Sequence, residues 1–397
     1  MNICLVSTVF PPAMGGPSIQ TYHIALALTR AGHHVTIITP RHPERHASFV
    51  ESLPQIKLIE AGRINNTLIS KVGWKLEVAL AVHRELRTNH YDILHCQNGP
   101  GLAGLLVGIA ARVNGVPSFT KFPADEVLHR VNTYKRISLD PVKYYTINWK
   151  TRFWTIAQTL ALRTFTIVWT VHSFDYDNLI SLFGFSTDRV CLLPNFQHFD
   201  LFDRNHTNDN SSLPVIVCAC RLVAIKGVDL LIKSYAQVPE KIRGELWLLG
   251  EGVPRVVQEL EQLVDDLQLK GQVKFLGRVS PLEMPKYLRQ ASVYLNTLTN
   301  RYFGAGFVEA LAAGNCIVAM NLGSWPEIVD FEKIPALIGK DIDETSKLLE
   351  ETLRNPDLRQ KYALRGQEFV KQLSLDTHLD VLLQTYQKAI EIFVHTF

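Results

Sequence analysis

Segments typical of strands and segments typical of helices alternate along this chain in two separate series. Apolar runs with the length of buried strands alternate with stretches whose apolar residues have helical spacing. The first series includes the strand-like runs NICLVST, HVTIITP and YDILHCQ, and the second begins at VIVCACRL. Such alternation predicts parallel sheets that helices cover on both faces. We therefore expect two Rossmann-like, doubly wound α/β domains that face each other across a cleft.

The length of the chain agrees with this expectation, and its net charge limits the class of partner. A chain of 397 residues suits two domains, and residues 191–214, which are polar and bounded by prolines, have the composition of a linker. The net charge of only +3 argues against a dedicated nucleic-acid-binding protein.

The six cysteines favour a cytoplasmic protein with reduced thiols. Most of them lie in strand-like runs, none has the spacing of zinc ligands, and Cys218 and Cys220 fall on one face of a strand, where a disulfide is unfavourable. MNICLVST starts directly with a strand-like run, so we expect no signal peptide. The later apolar segments are too short or too polar for a membrane-spanning helix.

Two turns that follow predicted first strands contain residues suited to anions. Gly15 and Gly16 follow the first strand, but the pattern GxGxxG is absent, which disfavours a hydride-transferring dinucleotide enzyme. Adjacent glycines allow a backbone to approach a ligand, although they also suit a loop that needs positive φ. In the second series Arg221 and Lys226 follow the strand, where they suit a diphosphate or form ordinary surface charges.

The stretch RYFGAGFVEALAAG, residues 301–314, predicts an anion site at the start of a helix. Gly304 and Gly306 leave room for a ligand beside the amides of Ala305, Gly306 and Phe307, where the helix dipole favours negative charge. Glu309 can accept hydrogen bonds from the vicinal hydroxyls of a ribose. Alternatively, this carboxylate only complements the helix dipole.

Taken together, these motifs resemble the retaining nucleotide-sugar glycosyltransferases of family 4, which have the two-domain B architecture. The resemblance is carried by Arg221-x4-Lys226-Gly227, LGEG, KFLGRV, the turn that ends in Glu309-Ala-Leu-Ala-Ala-Gly314, and WPEIV at 325–329. It implies a UDP- or GDP-sugar donor and neither a metal nor another cofactor. It also implies an acceptor-binding domain over 1–197 and a donor-binding domain over 198–376, with a last helix, 377–397, that packs back on the first domain.

The resemblance assigns roles by position. Arg221 and Lys226 would bind the diphosphate and stabilise it as a leaving group, while Glu309 would hold the ribose. The backbone from Phe275 to Arg278 would flank the base, and Gly16 would approach the phosphates from the first domain.

Three positions depart from the family pattern and concern the donor sugar. Arg301 stands where the family has a glutamate eight residues before Glu309. A His-x-His pattern keeps His95 but has Gln97 in second place, and the histidine expected after GVP is absent from KFPADE, which contains Lys121 and Asp125 instead. His95, Lys121, Asp125 and Arg301 are therefore candidate contacts of the sugar or the acceptor.

Two further features have alternative interpretations. Asp175-Tyr176-Asp177 has the form of a metal-binding Asp-x-Asp triplet, but its place at the start of a helix favours acids that complement the helix dipole. Residues 112–163 contain nine Lys/Arg and three Asp/Glu with aromatic residues among them. This composition suits either an anionic membrane surface, contacted through 135–154, or a partly buried helix with charged flanks.

We expect a retaining hexosyltransferase that uses UDP-glucose and acts on an envelope polysaccharide or its lipid-linked precursor, in the cytoplasm or at the inner face of the membrane. Two alternatives are a sugar-nucleotide epimerase of the same architecture, for which Asp125 and Glu126 are the available acids and bases, and a non-catalytic sugar-nucleotide sensor.

Overall fold

The computed structural model describes residues 1–11, 16–42, 56–63, 68–97, 99, 101–122, 149–171, 173–193, 195, 199, 202, 214–298, 304–322 and 334–396. It divides the chain into two compact units. The first consists of Met1–His198 and Leu375–Phe397, and the second of Phe199–Ser374.

Each unit is built on one sheet of parallel strands. In the first unit the strands are β1 (Asn2–Val6), β2 (His34–Arg41), β3 (Ile56–Arg63), β4 (Ile93–Cys96), β5 (Ser118–Phe122), β6 (Ile167–Thr170) and β7 (Val190–Leu192). In the second they are β8 (Ile216–Ala219), β9 (Leu246–Leu249), β10 (Val273–Gly277), β11 (Val293–Leu298), β12 (Cys316–Asn321) and β13 (Ala336–Gly339). The strand orders are β3-β2-β1-β4-β5-β6-β7 and β10-β9-β8-β11-β12-β13.

Helices connect these strands and cover the sheets. They are α1 (Gly16–Arg30), α2 (Leu68–Thr88), α3 (Leu102–Val113), α4 (Trp149–Arg163), α5 (Ser173–Ser181), α6 (Val228–Ala236), α7 (Pro254–Asp266), α8 (Met284–Gln290), α9 (Ala305–Ala312), α10 (Ile342–Arg354), α11 (Pro356–Lys371) and α12 (Leu375–Thr396). In the described part of the chain, none of them combines the length and hydropathy required to cross a bilayer.

The central strands are continuous apolar runs because helices bury both faces of each sheet. In the first sheet Ile3, Leu5, Ile93 and Leu94 are fully buried, and in the second Ile216, Val217, Val293 and Leu295 are. The predicted pair of doubly wound α/β domains is confirmed by this topology and by the solved structures that share it.

The last helix packs on the first sheet although it follows the whole second unit in the chain. α12 contacts α1, β4 and β5, and it buries Leu382, Tyr386 and Ala389 completely. A hydroxyl on α12 is thereby brought to the end of β4.

Three strands were not predicted, and each is short or lies at an edge of its sheet. β3 and β13 are edge strands, in which half-exposed residues weaken the apolar pattern. β7 has three residues and lies at the start of the predicted linker. Edge strands have one hydrogen-bonded neighbour and a solvent-exposed side, so their sequences show little of the continuous hydrophobicity that marks central strands.

The strand order reverses once in each sheet, between β1 and β4 in the first unit and between β8 and β11 in the second. At such a switch point the two connections leave in opposite directions and open a crevice at the carboxyl ends of the strands, where α/β proteins bind their ligands.

Candidate functional site

The two predicted diphosphate cations lie on the turn that follows β8, at the switch point of the second sheet. Arg221 is exposed, and Lys226 is half-buried at the end of a 3-10 turn, Ala224–Lys226. Gly227 then takes a left-handed conformation, φ 57°, and α6 begins. The Thr297 hydroxyl on β11 donates to the Lys226 carbonyl oxygen at 2.6 Å. The turn is therefore anchored to the neighbouring strand through its backbone, which leaves the Lys226 side chain out of this anchor.

The first turn of α9 packs closely against the end of β8. A Cβ atom at Gly306 would lie 2.9 Å from the Ala219 carbonyl oxygen and 2.8 Å from the Tyr294 hydroxyl. The same Tyr294 hydroxyl donates to the Ala219 carbonyl oxygen at 2.9 Å. Only glycine fits this approach, which places the start of α9 beside the segment that leads to Arg221.

Two of the three predicted backbone donors remain available at the start of α9. Among the described residues, the amides of Ala305 and Gly306 have no acceptor, as is usual for the first turn of a helix. The amide of Phe307 instead donates to the Gly304 carbonyl oxygen at 3.0 Å, and the Phe307 ring is buried in the core. The anion contact predicted for this third amide is thus not available in this conformation, because a local turn uses the same N–H.

Glu309 lies one turn further along α9 and is half-buried. Burial raises the pKa of its carboxyl to about 7. Near neutral pH the group therefore exists in both forms, and the ionised form can accept hydrogen bonds from two hydroxyls. This property suits the ribose contact that the sequence predicts.

The LGEG motif has a structural explanation that the sequence did not provide. Gly250 has φ 141°, and a Cβ atom there would lie 1.9 Å from the Cys220 carbonyl oxygen. At Gly252 a Cβ atom would lie 2.2 Å from the Leu222 carbonyl oxygen. The loop after β9 therefore lies flat against the backbone on either side of Arg221.

The segment predicted to flank the base lies at the end of β10, two strands from β8. The Gly250 amide donates to the Gly277 carbonyl oxygen at 2.8 Å and joins this segment to the loop after β9. Phe275 is half-buried against the core and Arg278 is exposed. The carboxyl ends of β10, β9, β8 and β11 thus carry the predicted nucleotide contacts in spatial order.

In the first unit, His95 lies at the end of β4 inside a buried polar cluster. Its Nε2 is 3.0 Å from Gln97 Oε1, and its Nδ1 is 2.5 Å from the Tyr386 hydroxyl on α12. Because an amide oxygen only accepts, Nε2 carries the proton and Nδ1 accepts from the tyrosine. Burial lowers the pKa of His95 to about 3, so the ring is neutral.

Lys121 on β5 belongs to the same cluster and is 4% exposed. Its ammonium donates to Gln20 Oε1 and, at 2.5 Å, to Asn195 Oδ1, and it lies 4.6 Å from the centre of the Trp169 ring. Burial lowers the pKa of Lys121 to about 7. Within the described residues no carboxylate forms an ion pair with this lysine.

Gln20 and Gln97 join the histidine to the lysine. Gln97 Nε2 donates to Gln20 Oε1 at 2.8 Å, which completes a hydrogen-bonded chain from Tyr386 through His95 to Lys121. The predicted sugar or acceptor contacts His95 and Lys121 thus face the interior. Neither Gln20 nor Tyr386 was predicted, and Gln97 was noted only as the second member of an altered His-x-His pattern.

The remaining predicted residues lie apart from these clusters or outside the described part of the chain. Gly16 is the exposed first residue of α1, at the switch point of the first sheet. Asp175 lies in the first turn of α5, as expected of an acid that complements the helix dipole. In the described residues no three His, Cys, Asp or Glu side chains are grouped as metal ligands would be. Asp125, Arg301 and the segment 135–148 fall outside the described ranges.

We expect His95 to contribute to the free energy of unfolding, and this contribution to fall as the pH is lowered from about 6.5. The folded protein holds this pKa at about 3, whereas a solvated histidine titrates near 6.5. Between these values the unfolded chain binds a proton that the folded chain excludes, so stability increases with pH across this window. Above about pH 6.5 the contribution is complete.

Urea unfolding of the wild type and of His95→Asn at about pH 4.5 and 7.5 measures this contribution. The two proteins must be compared because burial raises the pKa of Glu309 to about 7, and this carboxyl stabilises the fold toward lower pH. We expect the wild type to lose up to about 1.4 kcal/mol per pH unit more than His95→Asn. The exposed His34, changed to Asn, serves as the control. Equal pH dependence in all three proteins would contradict the neutral, buried histidine.

Comparison with known proteins assigns both halves of the chain. The family model described as "Glycosyl transferase 4-like domain" matches residues 15–195, and that described as "Glycosyl transferases group 1" matches residues 200–369. One subunit of the human phosphatidylinositol N-acetylglucosaminyltransferase is 24% identical over 339 residues, or 83% of this chain and 63% of that protein.

A bacterial relative and a solved structure are also similar. The GDP-mannose-dependent alpha-(1-6)-phosphatidylinositol monomannoside mannosyltransferase of Mycobacterium tuberculosis is 29% identical over 167 residues, or 40% of this chain and 43% of that protein. The crystal structure of HepE from Anabaena in complex with UDP-glucose has a TM-score of 0.72 at 17% identity and covers 98% of this chain and 100% of that one. The matches to both sequence relatives span less than two thirds of those proteins.

Two doubly wound domains, with cations and a glycine-rich helix start at one switch point, define the class of glycosyltransferases with the two-domain B architecture. The two family models together cover nearly the whole chain. The chain belongs to family 4 of the nucleotide-sugar glycosyltransferases.

Proposed function

We propose that this protein transfers a hexose from a nucleoside-diphosphate sugar to a hydroxyl of a lipid-linked or polysaccharide acceptor, with retention of configuration. One observation carries the proposal: the cationic turn after β8 and the start of α9 after β11 meet at the switch point of the second sheet. Two cations and two backbone amides there suit the diphosphate of a donor.

In this mechanism the protein stabilises the leaving diphosphate. Lys226 and Arg221 neutralise the charge that grows as the glycosidic bond breaks, and the amides of Ala305 and Gly306 donate to the same oxygens. The acceptor hydroxyl attacks from the face that the diphosphate leaves, and a phosphate oxygen takes its proton. Such a front-side reaction requires no enzymatic nucleophile, which leaves Glu309 for the ribose. No divalent cation is required, because the two side-chain cations supply the neutralising charge.

UDP-glucose is the donor that we propose. Among the solved structures with this fold, HepE from Anabaena was crystallised with UDP-glucose. The mycobacterial relative is named for GDP-mannose, and both sequence relatives are named for phosphatidylinositol acceptors. These names support a nucleotide-sugar donor and a lipid-borne acceptor.

Incubation of the purified protein with UDP-glucose, with and without EDTA, tests the proposal. We expect UDP together with glucose or a glycoside, in equal amounts in both samples. An isomeric UDP-sugar would identify an epimerase, and binding without turnover would identify a sensor. Loss of turnover in EDTA and its recovery with Mn²⁺ or Mg²⁺ would contradict metal-independent transfer. That result would favour Asp175 and Asp177 as metal ligands.

Arg301 provides a separate prediction, since it stands where the family has a glutamate. Arginine only donates hydrogen bonds, so it cannot take over the glutamate's role as an acceptor of a sugar hydroxyl. We expect Arg301→Ala to change the turnover of UDP-glucose less than tenfold, or about 1.4 kcal/mol. The measurement compares UDP-glucose with UDP-glucuronate in the wild type and the variant. A loss beyond a hundredfold with either donor would show that the arginine itself binds the sugar.

A further inference from the structure

Three helices of the first unit cover the same face of its sheet. The connections β3-α2-β4, β4-α3-β5 and β5-α4-β6 all run in the same direction across the strand order. Right-handed crossovers in one direction place their helices on one face. α2 contacts α3, and α3 contacts α4. The Arg112 guanidinium at the end of α3 donates to the carbonyl oxygens of Arg163 and Thr164 at 3.1 Å each, which joins the ends of α3 and α4.

Among the described residues, ten of the 18 exposed large hydrophobic side chains lie on these three helices. Single exposed hydrophobic residues are common on soluble proteins, but a continuous group of them marks an interaction site. Here ten large hydrophobic side chains are each 39–70% exposed, and we call them the helical apolar surface: Val72, Leu76, Leu80, Leu102, Ile109, Val113, Phe153, Trp154, Ile156 and Leu160.

The spacing of these residues shows that they line the outer side of each helix. Val72, Leu76 and Leu80 on α2 are four residues apart and therefore form one stripe. On α3, Ile109 and Val113 have the same spacing, while Ala103, Val107 and Ala110 face inward and are buried. A helix that has an apolar face on both sides requires a partner on its outer side.

The charged residues of the three helices indicate the kind of partner. The sequences of α2, α3 and α4 contain eight Lys or Arg and two Glu. One of the acids, Glu85, is buried and paired with Lys57 at 2.6 Å. Helices that expose apolar side chains and carry mainly cations complement a bilayer surface with anionic head groups, because the apolar side chains enter the interface while the cations meet the phosphates.

We propose that the helical apolar surface docks on an anionic lipid bilayer. This inference deepens the proposed function and rests on it for the lipid-borne acceptor, whereas the surface itself is independent of any activity. It also differs from the contact that the sequence predicted through 135–154, since α2 and α3 supply more than half of the surface.

Co-sedimentation with lipid vesicles tests the proposal. Two vesicle compositions, phosphatidylcholine alone and phosphatidylcholine with phosphatidylglycerol, are compared at low and high salt. We expect the protein to bind the anionic vesicles at low salt and to be released by salt, because screening weakens the cationic contacts. The variant Ile109→Glu/Leu160→Glu should bind at least tenfold less. The control variant Val253→Glu/Leu282→Glu changes residues of similar exposure in the second unit and should bind as the wild type does.

Release of UDP from UDP-glucose in lipid-free solution distinguishes the two proposals. We expect the Ile109→Glu/Leu160→Glu variant to keep wild-type release, since neither residue lies at the site described above. Equal vesicle binding by wild type and variant, or absence of binding by a protein that releases UDP, would overturn the docking surface alone. Vesicle binding by a protein that leaves every donor intact would overturn the proposed function alone. A fall in particle mass in the variant would identify the surface as a contact between copies of this chain and would also overturn the inference.

Discussion

Lys226→Ala is expected to lower turnover of the donor by about 10²–10³-fold, the usual effect of removing one donor that faces charge developing in a transition state, or about 2.7–4 kcal/mol. Lys226 stands on a turn whose backbone is anchored to β11 by the Thr297 hydroxyl. The substitution leaves this backbone contact in place. We therefore expect the folded structure and its free energy of unfolding to change little, although turnover falls by this factor.

The matched control is Lys233→Ala. Lys233 is half-buried like Lys226, but it lies in the last turn of α6, away from the start of that helix. We compare the wild type, Lys226→Ala and Lys233→Ala by their steady-state release of UDP from UDP-glucose and by their urea unfolding. Near-normal turnover in Lys226→Ala, or an equal loss in Lys233→Ala, would show that Lys226 does not bind the diphosphate.

The largest effect on stability is expected from Gly250→Ala. The backbone has φ 141°, which side chains rarely adopt, and the added Cβ would lie 1.9 Å from the Cys220 carbonyl oxygen. Backbone strain of this kind costs about 1–3 kcal/mol, and the overlap with a backbone atom adds to it, so we expect a loss of at least about 3 kcal/mol. Displacement of Cys220 would also move Arg221, so donor turnover should fall with stability.

Gly271→Ala separates strain from overlap. Gly271 also has positive φ, 86°, but no atom lies within 4 Å of the position that a Cβ would take. We expect it to cost about 1–2 kcal/mol, the usual penalty of a left-handed backbone, with turnover retained. Urea midpoints measured with a common m-value provide both free energies. If the two variants lost equal stability, close packing between the β9 loop and the β8 loop would not be the reason for glycine at 250.

Much of this protein could be predicted from its sequence because the decisive signals are local. Buried central strands such as β1, β8 and β11 are apolar runs. In the helices between them, apolar residues recur with the helical period of 3.6 residues. The cationic turn at Arg221 and the glycine-rich helix start at Gly306 are likewise continuous stretches that follow strands. Since the carboxyl ends of parallel strands share one edge, the sequence also determined that these stretches lie near each other.

The tertiary structure decided everything that depends on residues far apart in the chain. His95 bonds to Tyr386, which lies 291 positions away, so no local pattern could indicate that this histidine is buried and neutral. The helical apolar surface exists only because α2, α3 and α4 pack on one face of the first sheet. A hydrophobic pattern shows which residues avoid water, but whether a neighbour covers them is determined by how distant elements pack.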